Sequence, residues 1–167
     1  SEWPVVADVT SQLRLNRRCH ALCEHFDLML LNGAFAKTVD AEMVVHIGGE
    51  FVSKRLLEHF GQYRPAEYVH ISADPRRRDP ANCVTRKITV NIAKLSGTPQ
   101  KPQAGGGLNA HLASLNSKLA GLIGDRVDNS AHLSEIGVAR AVAANAPKKS
   151  ALFVSSSLPI RLVDSYA

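Results

Sequence analysis

Aromatic residues make up only 5% of the 167-residue chain, with a single tryptophan, so rows of rings on which nucleic-acid bases stack are missing. Cysteine is scarce too: Cys19, Cys23 and Cys83 form an odd, sparse set that argues for a reducing compartment and against a disulfide framework. No apolar run approaches membrane-spanning length, and the amino terminus lacks the order of a secretory signal, so a soluble protein without a membrane partner is expected. The glycine pattern Gly-x-Gly-x-x-Gly is absent, and Glu50 would stand where a pyrophosphate should lie, which argues against dinucleotide binding. The nucleophile elbow Gly-x-Ser-x-Gly is absent as well, which leaves Cys83 and the serines without a hydrolase reading.

What is present suits a globular α/β protein. A hydrophobic fraction of 45% supports the core of one domain, or of one domain and part of another. The net charge is +5, but the basic residues are scattered and only Arg76, Arg77 and Arg78 form a run, so nucleic acid is not an expected partner. Acidic small molecules account for the surplus equally well. Cys19, His20, Cys23 and His25 are chemically zinc-like, yet on a helix only the two cysteines share a face and no second cluster follows, so no metal site is expected.

Local pattern predicts a strand at Pro4 to Asp8, a helix from Arg17 to Phe26, strands at Asp27 to Asn32 and Met43 to Ile47, and a helix carrying Val52, Leu56, Leu57 and Phe60 that Gly61 ends. Further strands are expected at Tyr68 to Ser72 and, edge-like, at Val84 to Val90. Gly97, Pro99, Pro102 and three consecutive glycines mark Ser96 to Gly107 as a linker. Leucines at 108, 112, 115, 119 and 122 predict a helix to Ile123, followed by a helix from His132 to Ala144 capped by Ser130 or Ser134, and a strand at Leu152 to Ser155. Alternation of this kind predicts a mostly parallel open sheet with flanking helices.

Two segments point to anion binding. ALFVSSSLPIRLVDSYA, from Ala151 to Ala167, reads as a strand, three serines and the start of a helix with Arg161 one turn in. Unpaired N–H groups, hydroxyls and a guanidinium at such a turn suit a carboxylate or phosphate. VVHIGGEFVSKRLL, from Val44 to Leu57, places Lys54 and Arg55 at another helix start after a glycine turn, and two such seats suit one multiply charged acid. The plainer alternative is local ion pairing, of Lys54 with Glu58 and of Arg161 with Asp164.

These two segments, with WPVVAD from Trp3 to Asp8, Arg77 to Pro80 and the closing Leu158 to Arg161, resemble the thiamine-diphosphate-dependent 2-succinyl-5-enolpyruvyl-6-hydroxy-3-cyclohexene-1-carboxylate synthases of menaquinone and phylloquinone biosynthesis, most of all the plant and algal forms. The resemblance runs from Trp3 to the last residue. It implies a Rossmann-like middle domain at 1–96, a linker and connecting helix at 97–129, and the beginning of the cofactor-diphosphate domain at 130–167. It implies a parent transferase that decarboxylates 2-oxoglutarate and adds the succinyl unit to isochorismate, with thiamine diphosphate and magnesium bound by the intact enzyme. Remaining synthase domains and a second subunit are the implied partners, in a chloroplast stroma or a bacterial cytoplasm. By position, Ser157 and Arg161 resemble the serine and arginine that contact a substrate carboxylate, and Lys54 and Arg55 resemble the pair that meets isochorismate. Where the family reads Gly-Asn-Ser this chain has Ser155, Ser156 and Ser157, one amide donor fewer, and Leu162 replaces a commonly acidic position. Gly124, Asp125 and Arg126 match the family's Gly-Asp-Gly cofactor segment only superficially, so no cofactor, metal or catalytic residue is expected within this chain, and the chain alone is expected to be inactive. The rival expectation is a non-catalytic scaffold or effector-binding module, with Arg76 to Arg78 as its anion contact.

Overall fold

The computed structural model describes residues 3–15, 22–95, 107–147 and 149–167. In chain order the elements are β1 (Val5–Val6), a 3-10 turn (Gln12–Leu15), β2 (Leu22–Cys23), α1 (Phe26–Met29), α2 (Gly33–Thr38), β3 (Met43–Ile47), α3 (Lys54–Gln62), β4 (Glu67–Ser72), β5 (Arg86–Thr89), a second 3-10 turn (Ile92–Lys94), α4 (Leu108–Ile123), a π-helical turn (Gly124–Asp128), α5 (Glu135–Asn145) and α6 (Leu158–Tyr166). They gather into two compact units, one from the described residues of Ser1–Met29 and Pro102–Ala167, the other from those of Leu30–Lys101.

The second unit holds a parallel sheet of order β3-β4-β5. Val44 pairs with Tyr68 and His46 with His70, and His70 with Lys87, so the strand period puts Val44, His46, Tyr68, His70, Ser72 and Lys87 on one face. Aromatic rings fill that face: Phe51 stacks on His46 at 4.0 Å, His46 on His70 at 4.3 Å, and Phe60 of α3 stands edge-on to Tyr68 at 5.5 Å. Its polar atoms are matched as burial requires. The Tyr68 hydroxyl bonds His46 Nδ1 at 3.1 Å, His70 Nε2 bonds the Gly48 carbonyl at 3.0 Å, and Lys87 Nζ donates to Ser72 Oγ at 2.6 Å.

In the first unit β1 and β2 pair in parallel. Ala7, Cys23, Phe26, Met29, Leu112, Ile123 and Val163 form its buried apolar set among the described residues. Within the α4 leucine stripe Leu112 is buried, whereas Leu108 and Leu122 at its ends are exposed. Ser134 caps α5 by accepting from Gly137 N at 3.0 Å.

Four local expectations are corrected. Leu22 and Cys23 are strand, not helix, because the next two N–H groups, of Glu24 and His25, both donate to Asn116 Oδ1 at 3.0 Å and not to helical carbonyls. The remainder of that predicted helix, with Cys19 and His20, lies outside the described residues, as does the linker at 96–106. Asp27 to Asn32 is not a strand: Met29 N donates helically to the His25 carbonyl at 3.1 Å, and Asn32 Oδ1 caps α2 by accepting from Ala34 N and Phe35 N. Helix α3 runs through Gly61, and Tyr63 closes it by donating to the His59 carbonyl at 2.7 Å. Leu152 to Ser155 forms no ladder among the described residues.

Candidate anion-binding site

Gly48, at φ 114°, turns the chain after β3 in a conformation open to glycine, and its N–H still continues the sheet by donating to the Ile71 carbonyl at 2.9 Å. Ser53 then caps α3, accepting from Leu56 N at 3.0 Å, so Lys54 and Arg55 occupy its first turn, both exposed. Cations there oppose the helix dipole, which favours acidic residues at this end. Their placement concentrates positive potential at the turn and costs helix stability. Lys54 Nζ meets Glu58 Oε1 at 3.2 Å, the local pair its sequence spacing allows.

Beside this turn the arginine run is already engaged. Arg76 makes a fork on Asp74, with Nη2 to Oδ2 at 2.8 Å. Arg77 donates to Asp79 Oδ2 and to the Val84 carbonyl, each at 2.9 Å, and Arg78 donates to Glu50 Oε1 at 2.8 Å while its Nε lies 3.3 Å from Asp74 Oδ2. Hydrogen bonds from Arg76 hold the Asp74 carboxyl far below the usual range. Burial pushes Asp79 up, but N–H bonds from Cys83 and Val84 and the Arg77 guanidinium outweigh it, so its carboxyl is lowered.

In the other unit, Ser157 sits at φ 73° and ψ −127° before α6, with no capping bond from its side chain. For a residue with a Cβ this backbone costs about 1–3 kcal/mol. Pro159 has no N–H, and Ile160 N donates to the Ser155 carbonyl at 3.2 Å, so fewer backbone donors remain than the sequence suggested. Arg161 is exposed and donates from Nε to the Ser157 carbonyl at 3.0 Å, which ties the guanidinium to the turn. Among the described residues it meets no carboxylate; Asp164, its expected ion-pair partner, is buried against Arg14 at 3.4 Å. Alongside lies an apolar groove of about 530 Å³ lined by α5, the 152–155 segment and the start of α6.

The far end of α6 is built from residues that sequence reading missed. Arg14 Nη1 donates to the Asp164 carbonyl at 2.8 Å, His25 Nδ1 bonds the Ser165 carbonyl at 3.0 Å, and Arg140 Nη1 donates to the Tyr166 carbonyl. Arg140 is itself forked onto Asp128 at 2.7 and 2.6 Å. Burial raises the Asp164 carboxyl despite the Val9 N–H it accepts and the adjacent Arg14 charge. Since Arg14 and Asp164 are separated by 150 residues, no local sequence signal marks these contacts.

The residues present do not fit the diphosphate cofactor that the sequence resemblance implies. Gly124, Asp125 and Arg126 lie within a π-helical turn continuous with α4, whose Asp128 is committed to Arg140, with no second glycine to let a diphosphate approach the backbone. Among the described residues no group of three or more His, Cys, Asp or Glu is arranged to hold a metal ion, and no helix is long and apolar enough to cross a membrane.

A parallel sheet with flanking helices, followed along the chain by an exposed serine and arginine turn, defines a domain of the α/β class. The family described as the middle domain of thiamine pyrophosphate matches residues 2–154, and the chain belongs to it. Protein PHYLLO, chloroplastic, from Arabidopsis thaliana is 30% identical over 175 residues, covering 98% of this chain and 10% of that protein. The 2-succinyl-5-enolpyruvyl-6-hydroxy-3-cyclohexene-1-carboxylate synthase of Rubrobacter xylanophilus is 33% identical over 173 residues, covering 99% of this chain and 29% of the synthase. That of Shewanella frigidimarina is 32% identical over 166 residues, with 99% and 28% covered. The chain thus spans less than a third of the curated relatives it matches.

Proposed function

We propose that the chain is the middle-domain portion of a thiamine-diphosphate-dependent synthase that decarboxylates 2-oxoglutarate and adds the succinyl unit to isochorismate in menaquinone or phylloquinone biosynthesis. In this reading 1–96 is the middle domain, 97–129 the connection and 130–167 the start of the cofactor-diphosphate domain. The rest of the synthase, working as a homo-oligomer in a chloroplast stroma or bacterial cytoplasm, supplies the cofactor and magnesium sites. Similarity to synthases of that name over nearly the whole chain supports it.

This chain's part is to hold anions. The observation that carries the reading is Arg161: exposed, tethered through Nε to the Ser157 carbonyl, and without a carboxylate partner among the described residues. Its Nη atoms present a planar fork for a substrate carboxylate, with the Ser157 hydroxyl beside it. Lys54 and Arg55 take an isochorismate carboxylate at the cationic start of α3. The effector-module alternative is not adopted, because Arg76, Arg77 and Arg78 are each already matched by a carboxylate.

The test is a nuclear magnetic resonance titration of the labelled chain with 2-oxoglutarate and with isochorismate. Saturable, salt-sensitive shifts are expected at Ser157 and Arg161 for the first and at Lys54 and Arg55 for the second, with Arg161→Gln abolishing the former. Shifts scattered over the surface, or unchanged by Arg161→Gln, reject the assignment. Carbon dioxide release from 2-oxoglutarate by the chain supplied with thiamine diphosphate and magnesium is expected to be nil.

A further inference from the structure

We propose that His70, held in one tautomer by Lys87, is a positioning residue for the Lys54 and Arg55 seat, because it anchors the Gly48–Gly49 peptide through which the chain passes from β3 toward α3. The inference rests on the anion-binding reading of that seat. Two adjacent glycines make a hinge, since neither carries the Cβ that confines φ and ψ. At Gly48, with φ 114°, and at Gly49 an added Cβ would meet nothing within 4 Å, so the surroundings leave room for the hinge to move. The peptide before it stays in the sheet through Gly48 N and the Ile71 carbonyl at 2.9 Å. The peptide after it is held by a side chain: the Gly48 carbonyl accepts from His70 Nε2 at 3.0 Å.

A neutral imidazole carries one hydrogen, and the partner of one ring nitrogen decides which nitrogen has it. Facing a carbonyl, Nε2 is the donor, which leaves Nδ1 to accept. Lys87, opposite His70 in the β4–β5 register, supplies the matching donor: its Nζ lies 3.4 Å from His70 Nδ1 and donates to Ser72 Oγ at 2.6 Å. Ser72 gives its own hydrogen to the Asp74 carbonyl at 3.1 Å, so its oxygen is an acceptor toward Lys87. An ammonium has donors only, so a hydrogen on Nδ1 would face another hydrogen. A rotated peptide, turning the Gly49 N–H toward Nε2, would find no acceptor there. The stack on His46, at 4.3 Å and 9°, fixes the ring plane. His70 and Ser72 are buried, which leaves water little access to replace these bonds.

From Gly49 the chain reaches Lys54 through Glu50, Phe51, Val52 and Ser53, and it is tied down along the way. Glu50 takes Arg78 at 2.8 Å, Phe51 stacks on His46 at 4.0 Å, and Ser53 caps α3 at 3.0 Å. All of these ties lie beyond the glycine hinge, and the bond from His70 is the one that closes the hinge itself. Freed at Gly48 and Gly49, the turn has more than one arrangement, and only a fraction of molecules presents Lys54 and Arg55 in the pose that meets a carboxylate. Apparent affinity falls with that fraction even though both cations are still present.

The test combines nitrogen–proton magnetic resonance of the labelled histidines and glycines with isochorismate titration, on the wild-type chain, Lys87→Met, His70→Leu and His70→Gln. In the wild type His70 is expected to carry its hydrogen on Nε2, with Nδ1 bare, and Gly49 to give one amide resonance. Lys87→Met, at a half-buried position, admits both tautomers. The two His70 nitrogen shifts then converge, the Gly49 amide moves or doubles, and isochorismate binding weakens about twofold as the competent fraction falls to about one half. His70→Leu weakens it further, whereas His70→Gln, whose amide N–H takes the place of Nε2–H, recovers most of the affinity. A wild-type hydrogen on Nδ1 overturns the proposal, and so does His70→Gln binding no better than His70→Leu. Weaker binding by Lys87→Met with the His70 tautomer and the Gly49 amide unchanged also overturns it, since that is the loss of a charge alone. Should His70→Leu fail to fold, the Lys87→Met readouts decide. If the wild type binds no isochorismate, the anion reading fails separately. The anchor is then judged by the His70 tautomer and the Gly49 amide in Lys87→Met: their change upholds it and their constancy overturns it.

Discussion

Lys54 and Glu58 stand one turn apart on α3 with side chains 79% and 62% exposed, and 3.2 Å between Nζ and Oε1. At such exposure the attraction is offset by hydration and by the entropy of fixing two long side chains. Lys54→Ala is therefore expected to change unfolding free energy by less than about 0.5 kcal/mol in urea titration. Isochorismate binding should respond differently, because the substrate carboxylate and Glu58 compete for the Lys54 ammonium. Lys54→Ala weakens it, and Glu58→Ala, which releases the ammonium, strengthens it. A loss of affinity in Glu58→Ala would mean that the pair acts as a unit and that Lys54 is no free cation for substrate. The buried pair of Arg14 and Asp164, with side chains 9% and 6% exposed, belongs to the opposite regime, in which removing one partner strands a charge.

At the scale of elements, the segment Leu152 to Ser155 shows what a short apolar run can and cannot tell. Its residues have strand propensity, but a strand is defined by a neighbour, and none pairs with it among the described residues. Phe153 is consequently 98% exposed. Phe153→Ser is expected to leave the chain's melting temperature unchanged and to reduce its self-association, measured by light scattering; a clear fall in melting temperature would show that the ring is packed in solution. Elements with strong periodicity were legible: β3 and α4 have the predicted limits, and α3, β4 and α5 fall within one to three residues of theirs. Residues 22 to 32 were not, because their pattern is settled by distant groups, Asn116 on α4 and Ser165 on α6, which redirect local N–H and carboxylate bonds. Likewise Ser157, Arg161, Lys54 and Arg55 were visible as motif residues, whereas Arg14 and Arg140 gain meaning only when the far end of α6 is in place.

At the scale of the whole molecule, the sheet β3-β4-β5 is covered by rings on one face, while Met43, Val45, Ile47 and Ile88 on the other remain exposed. Parallel sheets are ordinarily covered on both faces, which accords with a chain that spans less than a third of its relatives. Acid sensitivity is also a property of the whole, since each compact unit buries a histidine whose basicity is lowered. Burial lowers His25, outweighing the Ser165 carbonyl bond that favours its charged form, and the Arg14 charge adds to the lowering. Burial likewise lowers His59, against a bond to the Val39 carbonyl, and its Nδ1 has no hydrogen-bond partner among the described residues, so a proton there would find no acceptor. In the unfolded chain both titrate near 6.5, so below that pH the unfolded state binds protons that the folded state refuses. Their stability contribution is complete above about pH 6.5 and is lost as pH falls toward the lower folded values, at up to about 1.4 kcal/mol per pH unit for each histidine. The carboxylates act in a more acidic window: the lowered Asp74, Asp79 and Asp128 lose their contribution below the ordinary 3.8, and the raised Asp164 opposes them from just above it. Urea unfolding between pH 5 and pH 8 should therefore show a plateau at the alkaline side and a decline on the acid side. His59→Leu, which removes the orphaned nitrogen, should flatten part of that decline, and an unchanged slope in this variant would show that His59 titrates normally in the folded protein.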